Sequence, residues 1–140
     1  MNKSDIPSFD ANDPESVVNN FIRTMNAWET YANRISREQK ADAWPEIRRS
    51  QKIVFDAFCT QKDRKQGRNG SFQRPPEYNP DSEVIVGVEP FTNSKTHVIT
   101  ERNAILGGGQ YRYILLRQGK RLFIDSVKFL DGNNWQNSIL

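Results

Sequence analysis

Apolar residues recur every three or four positions from residue 17 to residue 35, which predicts a long amphipathic helix. Asp13 and Pro14 mark its start, because aspartate caps helices and proline suits the first helical position. The polar side of this helix is predicted to carry Asn26, Glu29 and Asn33. A second, shorter helix with one apolar face is predicted to begin near residues 42–45 and to end at about Cys59.

The second half of the chain has the pattern of strands. Alternating β-branched residues predict strands over residues 83–89 and 95–101. Residues 111–129 contain two apolar runs divided by Gly119, which predicts a β-hairpin. We expect a type I turn from about Leu116, with Gly119 at positive φ and a bulge closing the loop.

The first strand of this hairpin is apolar on both faces. Tyr113 and Leu115 lie on one side, and Ile114 and Leu116 lie on the other. Such a pattern suits a central strand of a curved sheet, covered inside by helices and outside by more protein.

Two or three helices followed by at least four antiparallel strands place the chain in the α+β class, with the helices on one concave face of the sheet. Residues 1–12 contain Pro7 and show no periodicity, so we expect a flexible arm. Residues 13–140 then form a single domain, since 140 residues suffice for one core.

Charge changes this picture little. The net charge is +3, and basic residues cluster between residues 62 and 74, where Asp63 interrupts them and Glu77 follows. We interpret this stretch as a solvated loop and expect no nucleic-acid partner. No apolar run approaches the length of a membrane helix or a signal peptide, so we expect a cytoplasmic protein without a membrane contact.

The chain offers few groups for chemistry. With one cysteine and one histidine it lacks the ligands of a nitrogen- or sulfur-rich metal site, and we expect neither a metal nor a cofactor. One enzymatic hypothesis remains: a buried carboxylate with a raised pKa could shuttle protons at the bottom of an apolar cavity. The residues that could form such a cavity are Trp28, Tyr111, Tyr113 and Asp125.

Several motifs resemble a known family. The ending YRYILLRQGKRLFIDSVKF resembles the cone-like nuclear transport factor 2-like fold, and its Ile124-Asp125 pair suits the second of the two final strands. Three further segments resemble more narrowly the immunity proteins of that fold, which are encoded beside bacterial polymorphic toxins: NNFIRTMNAWE, FCTQKDRKQGR and RPPEYNPDSEVI. The resemblance extends from about Pro14 to Phe129 and implies a protein that binds and neutralises a cognate toxin domain without chemistry of its own.

The long loop before the first strand supplies candidate contacts for such a partner. Arginine and tyrosine are frequent anchors in interfaces, which selects Arg64, Arg68, Arg74 and Tyr78. Alternatively, Arg64 or Arg68 locks the second helix to the sheet. Three further questions stay open from the sequence: a small-molecule or isomerase-like role for the cone cavity, the identity of the toxin, and a homodimer formed through the outer face of the sheet.

Overall fold

The computed structural model describes residues 1–64, 76–103, 108–138 and 140. Within them the chain forms two helices, α1 (Pro14–Gln39) and α2 (Trp44–Phe58), joined by a 3-10 turn at Lys40–Ala43. An antiparallel sheet follows, with its strands in chain order: β1 (Glu83–Thr92), β2 (Lys95–Arg102), β3 (Gly109–Gln118), β4 (Arg121–Asp131) and β5 (Asn134–Asn137). The predicted α+β class is confirmed, and β5 is an element that the sequence pattern did not predict.

Helix α1 begins where the sequence predicts. Asp13 accepts a hydrogen bond from the Glu15 backbone N–H at 3.2 Å, so it caps the helix as expected. The whole predicted apolar stripe is buried. Glu29, however, is fully buried rather than on the polar side, so that part of the prediction is wrong. Its carboxylate accepts a hydrogen bond from the Tyr78 backbone N–H at 3.3 Å, a long-range partner that helical periodicity cannot reveal.

The helices cover one face of the sheet, which we call the inner face. Its buried side chains join those of both helices in one core, and they include Val98, Tyr113, Leu115, Ile124 and Val127. The register places Val98, Tyr113 and Val127 side by side across three strands. Phe21 of α1 reaches this row, with its ring centroid 6.4 Å from that of Tyr113.

The β3–β4 hairpin differs from its predicted geometry. Gly119 has φ +65°, as expected, but Gln118 pairs directly with Arg121, so the connection is a two-residue turn. The bulge lies within β4 instead, where the register shifts between the Ser126 and Ile124 pairs and leaves Asp125 unpaired in the ladder. A bulge reverses the alternation of side chains. Val127 is therefore buried inside while Phe123 is not, although both have the same parity in sequence.

The other face of the sheet, which we call the outer face, carries the side chains that alternate with the buried ones. On β3 these are Arg112, Ile114 and Leu116, all partly exposed. Of the helices and strands in the described residues, none packs over this face, because both α1 and α2 contact the inner one. The sequence predicted protein on the outside of β3, and the described part of this chain does not supply it.

Residues 1–12, which the sequence predicts as a flexible arm, lie against the domain. The Phe9 ring stacks on that of Phe58 with centroids 4.6 Å apart. The Leu122 backbone N–H donates to the Ala11 carbonyl at 2.8 Å, so the arm also contacts β4. No helix in the described part of the chain combines the length and the apolarity needed to cross a membrane.

Candidate protein-binding site

The segment after α2 is held against β4 by a cluster of polar contacts. Cys59 ends the helix in an extended conformation, and Thr60 donates its backbone N–H to the Ile124 carbonyl at 2.9 Å. Arg64 then folds back over this segment. Its guanidinium donates to the Thr60 carbonyl at 2.7 Å, to the Thr60 hydroxyl at 3.0 Å and to the Asp125 carbonyl at 3.3 Å. These contacts support a structural role for Arg64, although within the described residues they are hydrogen bonds and not the salt bridge that this alternative implied.

Asp125, the bulged residue of β4, is the acidic member of this cluster. The Thr60 hydroxyl donates to Asp125 Oδ1 at 2.7 Å, and Lys62 Nζ lies 3.1 Å from Oδ2. Partial burial on its own raises the pKa of Asp125, but these two hydrogen bonds and the nearby cations lower it below the usual value. The carboxyl group is thus ionised at neutral pH, the opposite of the raised pKa that the proton-shuttle hypothesis requires.

A shallow pocket of about 300 Å³ adjoins this cluster. It offers two cations, two carboxylates and two hydroxyls, and its lining consists of Lys62, Asp63, Arg64, Asp125, Ser126, Ser138 and Leu140. Such a mixture suits a polar side chain of another protein better than an apolar ligand.

Tyr78 does not lie on a displayed loop, so the expected exposure is wrong. Its side chain is fully buried, and its ring centroid lies 5.4 Å from that of Phe21. Helix α1 fixes its backbone through Asn26, whose Nδ2 donates to the Tyr78 carbonyl at 2.7 Å. The apolar contact that the ring gains in the core explains why an aromatic residue in an irregular segment turns inward. Arg68 and Arg74 lie outside the described residues.

In the pockets lined by described residues, those expected to line one cavity do not come together: Asp125 lines the pocket beside Thr60 without the other three. Trp28 is fully buried and donates its indole N–H to the Ser50 hydroxyl of α2 at 2.9 Å. Tyr113 is fully buried on the inner face, and Tyr111 stacks beneath Arg102, whose Cζ lies 3.8 Å from the ring centroid. Asp125 belongs to the cluster near Thr60, so the acid and the tyrosines occupy different places.

A buried polar network that the sequence did not predict occupies the inner face. Glu83 Oε2 accepts from the Thr100 hydroxyl at 2.6 Å and from the Tyr113 hydroxyl at 2.8 Å. Glu83 Oε1 accepts from Arg102 Nε at 2.9 Å, and Arg102 also pairs with Glu77 at 3.3 Å. Burial, and after it the charge of Glu83, raises the pKa of Tyr113 well above its usual value, so its hydroxyl remains a donor.

One sign of this network was visible in the sequence. Thr100 and Arg102 are two positions apart in sequence, which in a strand places both on one face. That Glu83 joins them follows from the register, which sets it opposite Arg102. Among the described residues, no group of three or more His, Cys, Asp and Glu side chains could hold a metal ion.

The described residues form a small α+β domain in which two helices back a sheet. Its inner face is packed, polar contacts hold the segment after α2 to β4, and none of the described helices or strands packs over its outer face, which suits contact with another protein. Over residues 13–138 the chain matches the family described as NTF2 fold immunity protein, and it belongs to that family. The resemblance read from the sequence motifs is thereby confirmed.

The chain is also similar to the immunity protein RhsIA of Dickeya dadantii (strain 3937), with 39% identity over 74 residues. That alignment covers 51% of this chain and 55% of the relative, so the chain spans about half the length of the curated relative that it matches. No solved structure matches the chain.

Proposed function

We propose that this protein binds a cognate toxin domain by direct contact and blocks it, without catalysing a reaction, in the cytoplasm of the cell that makes the toxin. The observation that carries this proposal is the family match, which extends over nearly the whole folded domain. The partner expected from polymorphic toxin systems is the toxin domain encoded beside the immunity protein.

The geometry of the inner face favours binding over catalysis. Within the described residues, the carboxylate that bonds to Tyr113 there is Glu83, whose two oxygens already accept hydrogen bonds from three donors. Catalysis by Glu83 would require breaking its buried ion pair with Arg102, which costs several kcal/mol. Asp125, the acid named in the enzymatic hypothesis, is paired with Lys62 at 3.1 Å near the surface.

Neutralising a lethal enzyme requires tight binding. Nanomolar affinity corresponds to about −12 kcal/mol, and a few anchor residues usually supply most of that energy. Of the four anchors selected from the sequence, Arg64 borders the surface pocket and Tyr78 is buried. Arg68 and Arg74 stay as predictions from the sequence alone.

The test is co-expression of this protein with the toxin domain encoded by the adjacent reading frame. We expect growth to be rescued and a stable complex to co-purify. A matched control is a toxin domain from an unrelated system, against which no rescue is expected. Killing that this protein does not relieve, with no complex on purification, would reject the proposed function, and turnover of a small molecule that is lost in Asp125→Asn would support the enzymatic alternative.

A further inference from the structure

The outer face carries cations that form no ion pair within the described residues. Arg112 of β3 lies directly opposite Lys128 of β4, and Lys95 lies on the same face of β2. Their positive field reaches His97 between them. Burial lowers the pKa of His97, and Arg112, Lys95 and Lys128 lower it further against the opposing effect of Glu89.

Like charges directly opposite each other on adjacent strands destabilise a sheet. Yet within the described residues neither Arg112 nor Lys128 has a carboxylate oxygen within 4.0 Å. The repulsion between Arg112 and Lys128 is therefore not offset by an ion pair inside the described part of the chain.

Arg112 is also held in a fixed position. Its Cζ lies 4.2 Å from the centroid of the Trp135 ring, which supports the planar guanidinium from below. Its Nε is shielded from water and has no hydrogen-bond partner among the described residues. That buried Nε is closed to a partner as well, but a guanidinium fixed by Trp135 can offer its terminal N–H groups to a carboxylate with little further loss of side-chain entropy.

Exposed apolar residues lie on β1, the edge strand beside β2, and Lys95 Nζ is 5.9 Å from the centroid of the Phe91 ring. On β1, Val84 is 56% exposed, Val86 is 50% exposed and Phe91 is 65% exposed. The Phe91 ring stacks on His97 with centroids 5.0 Å apart, so this exposed aromatic group is positioned at the edge of the outer face. Aromatic and arginine residues beside aliphatic ones are the composition typical of the energetic centre of a protein interface.

We propose that the outer face is the surface that binds the toxin domain, through a toxin patch in which carboxylates meet Arg112 and Lys128 and apolar groups meet Phe91 and Val86. This proposal rests on the proposed function and assigns its location. A second copy of this chain fits the face less well, since a two-fold contact there would bring these unneutralised cations together. Acidic groups on the toxin would remove the repulsion between Arg112 and Lys128 only in the complex, so the energy lost in folding is recovered on binding.

The decisive variant is Lys128→Glu. The introduced carboxylate lies opposite Arg112 and replaces a repulsive pair by an attractive one, so the melting temperature should stay the same or rise. Binding to the toxin domain encoded by the adjacent reading frame should weaken by about tenfold or more, because a carboxylate then faces the acidic patch. If Lys128 had only a structural role, the variant would not combine an unchanged or higher melting temperature with a loss of affinity.

The matched control is Lys52→Glu, which makes the same change of charge on the solvent side of α2, away from the sheet. Lys52 is 73% exposed and pairs only at the surface with Asp56, so we expect little change in affinity or stability. Affinity is measured by calorimetry or biolayer interferometry at two salt concentrations. The wild type should lose more affinity with added salt than Lys128→Glu does.

The outcomes are distinguishable. If the wild type neither rescues growth nor binds the toxin, the proposed function fails and the assigned surface fails with it. If the wild type binds and Lys128→Glu binds equally well, the outer face is not the toxin site and the function stands. A dimer in light scattering that Lys128→Glu dissociates with unchanged toxin affinity would assign the face to self-association. Binding of a labelled single-stranded RNA that Lys128→Glu abolishes, with toxin binding unchanged, would likewise overturn the proposal.

Discussion

Replacing Glu83 tests the buried network on the inner face most directly. The Glu83 side chain is 0% exposed and that of Arg102 is 7% exposed. Glu83→Met keeps most of the side-chain volume but leaves Arg102 with Glu77 as its remaining carboxylate, at 3.3 Å and 28% exposed. Removing one partner of a buried ion pair costs about 3–5 kcal/mol, and the hydroxyls of Thr100 and Tyr113 also lose their acceptor.

We therefore expect the free energy of unfolding to fall by about 4 kcal/mol, part of the loss being offset by Glu77. For a domain of this size the melting temperature should fall by about 10–15 °C. Urea unfolding followed by tryptophan fluorescence gives the free energy, and an unchanged dependence on urea concentration would show that the unfolding transition stays the same.

The double variant Glu83→Met with Arg102→Met is the control. It removes both charges, so no buried ion is left unpaired, and it should be more stable than the Glu83→Met single variant. A loss below about 1 kcal/mol in the single variant, or a double variant less stable than the single one, would refute the assignment of a charge-paired network at this site.

Three further predictions follow from individual contacts. The pKa of Glu46 is lowered to about 2. The hydrogen bond from Arg49 is the largest cause, burial opposes it, and the hydrogen bond from Tyr31 lowers the pKa further. The pKa of Glu46 in the folded protein lies below its unfolded value, so the stabilisation that ionised Glu46 gives the fold is present above about pH 4.5 and is lost as pH falls towards 2. Glu46→Gln should therefore weaken the dependence of the unfolding free energy on pH in that window. An unchanged slope would contradict this assignment. Burial raises the pKa of the Cys59 thiol to about 12, so a thiol reagent at pH 8 should label it only after unfolding, and rapid labelling of the native protein would contradict its burial. Phe21 is fully buried among aromatic rings, so Phe21→Ala should cost about 3–5 kcal/mol and Phe21→Leu clearly less, as measured by urea unfolding; equal losses would argue against tight packing around this ring.

Helical periodicity predicted the first half of the fold well, because the pattern of α1 is a local property. The stripe from Val17 to Ile35 is buried as expected, and Asp13 caps the helix. Glu29 is the exception. Its burial depends on the Tyr78 backbone, 49 positions further along the chain, and no local pattern contains that contact.

The sheet was predicted in its order but not in its details. A bulge at Asp125 requires knowledge of which residue of β3 faces which residue of β4, and single-strand alternation does not provide it. For the same reason the sequence did not predict the pairing of Arg112 with Lys128, because only the strand register places these two charged residues side by side. Sequence motifs were enough to predict the fold and the family, whereas the candidate interface could be found only from the register between β3 and β4.

Among the anchors selected from the sequence, Arg64 is described by the structure and borders the pocket, so replacing it can distinguish a structural role from a binding role. Its guanidinium makes three hydrogen bonds within the cluster formed by Thr60 and Asp125, and its Cζ lies 5.7 Å from the centroid of the Phe55 ring. Arg64→Met keeps a long side chain but loses these bonds, and we expect the free energy of unfolding to fall by about 1–3 kcal/mol, because the group is partly exposed. Toxin affinity measured on the folded fraction should change by less than about threefold, a small fraction of what an anchor contributes.

The comparison with Lys128→Glu makes this prediction sharp. The two substitutions should have opposite signatures: Arg64→Met loses stability and keeps affinity, and Lys128→Glu keeps stability and loses affinity. If Arg64→Met instead retains its stability and binds the toxin much more weakly, the pocket beside Asp125 is the interface. Ser126 lines that pocket and also lies two positions before Lys128 on β4, so a toxin seated on the outer face approaches Arg64 from the same side. A moderate loss of affinity in both variants, with stability lost in Arg64→Met alone, would therefore place the toxin over both the outer face and the pocket.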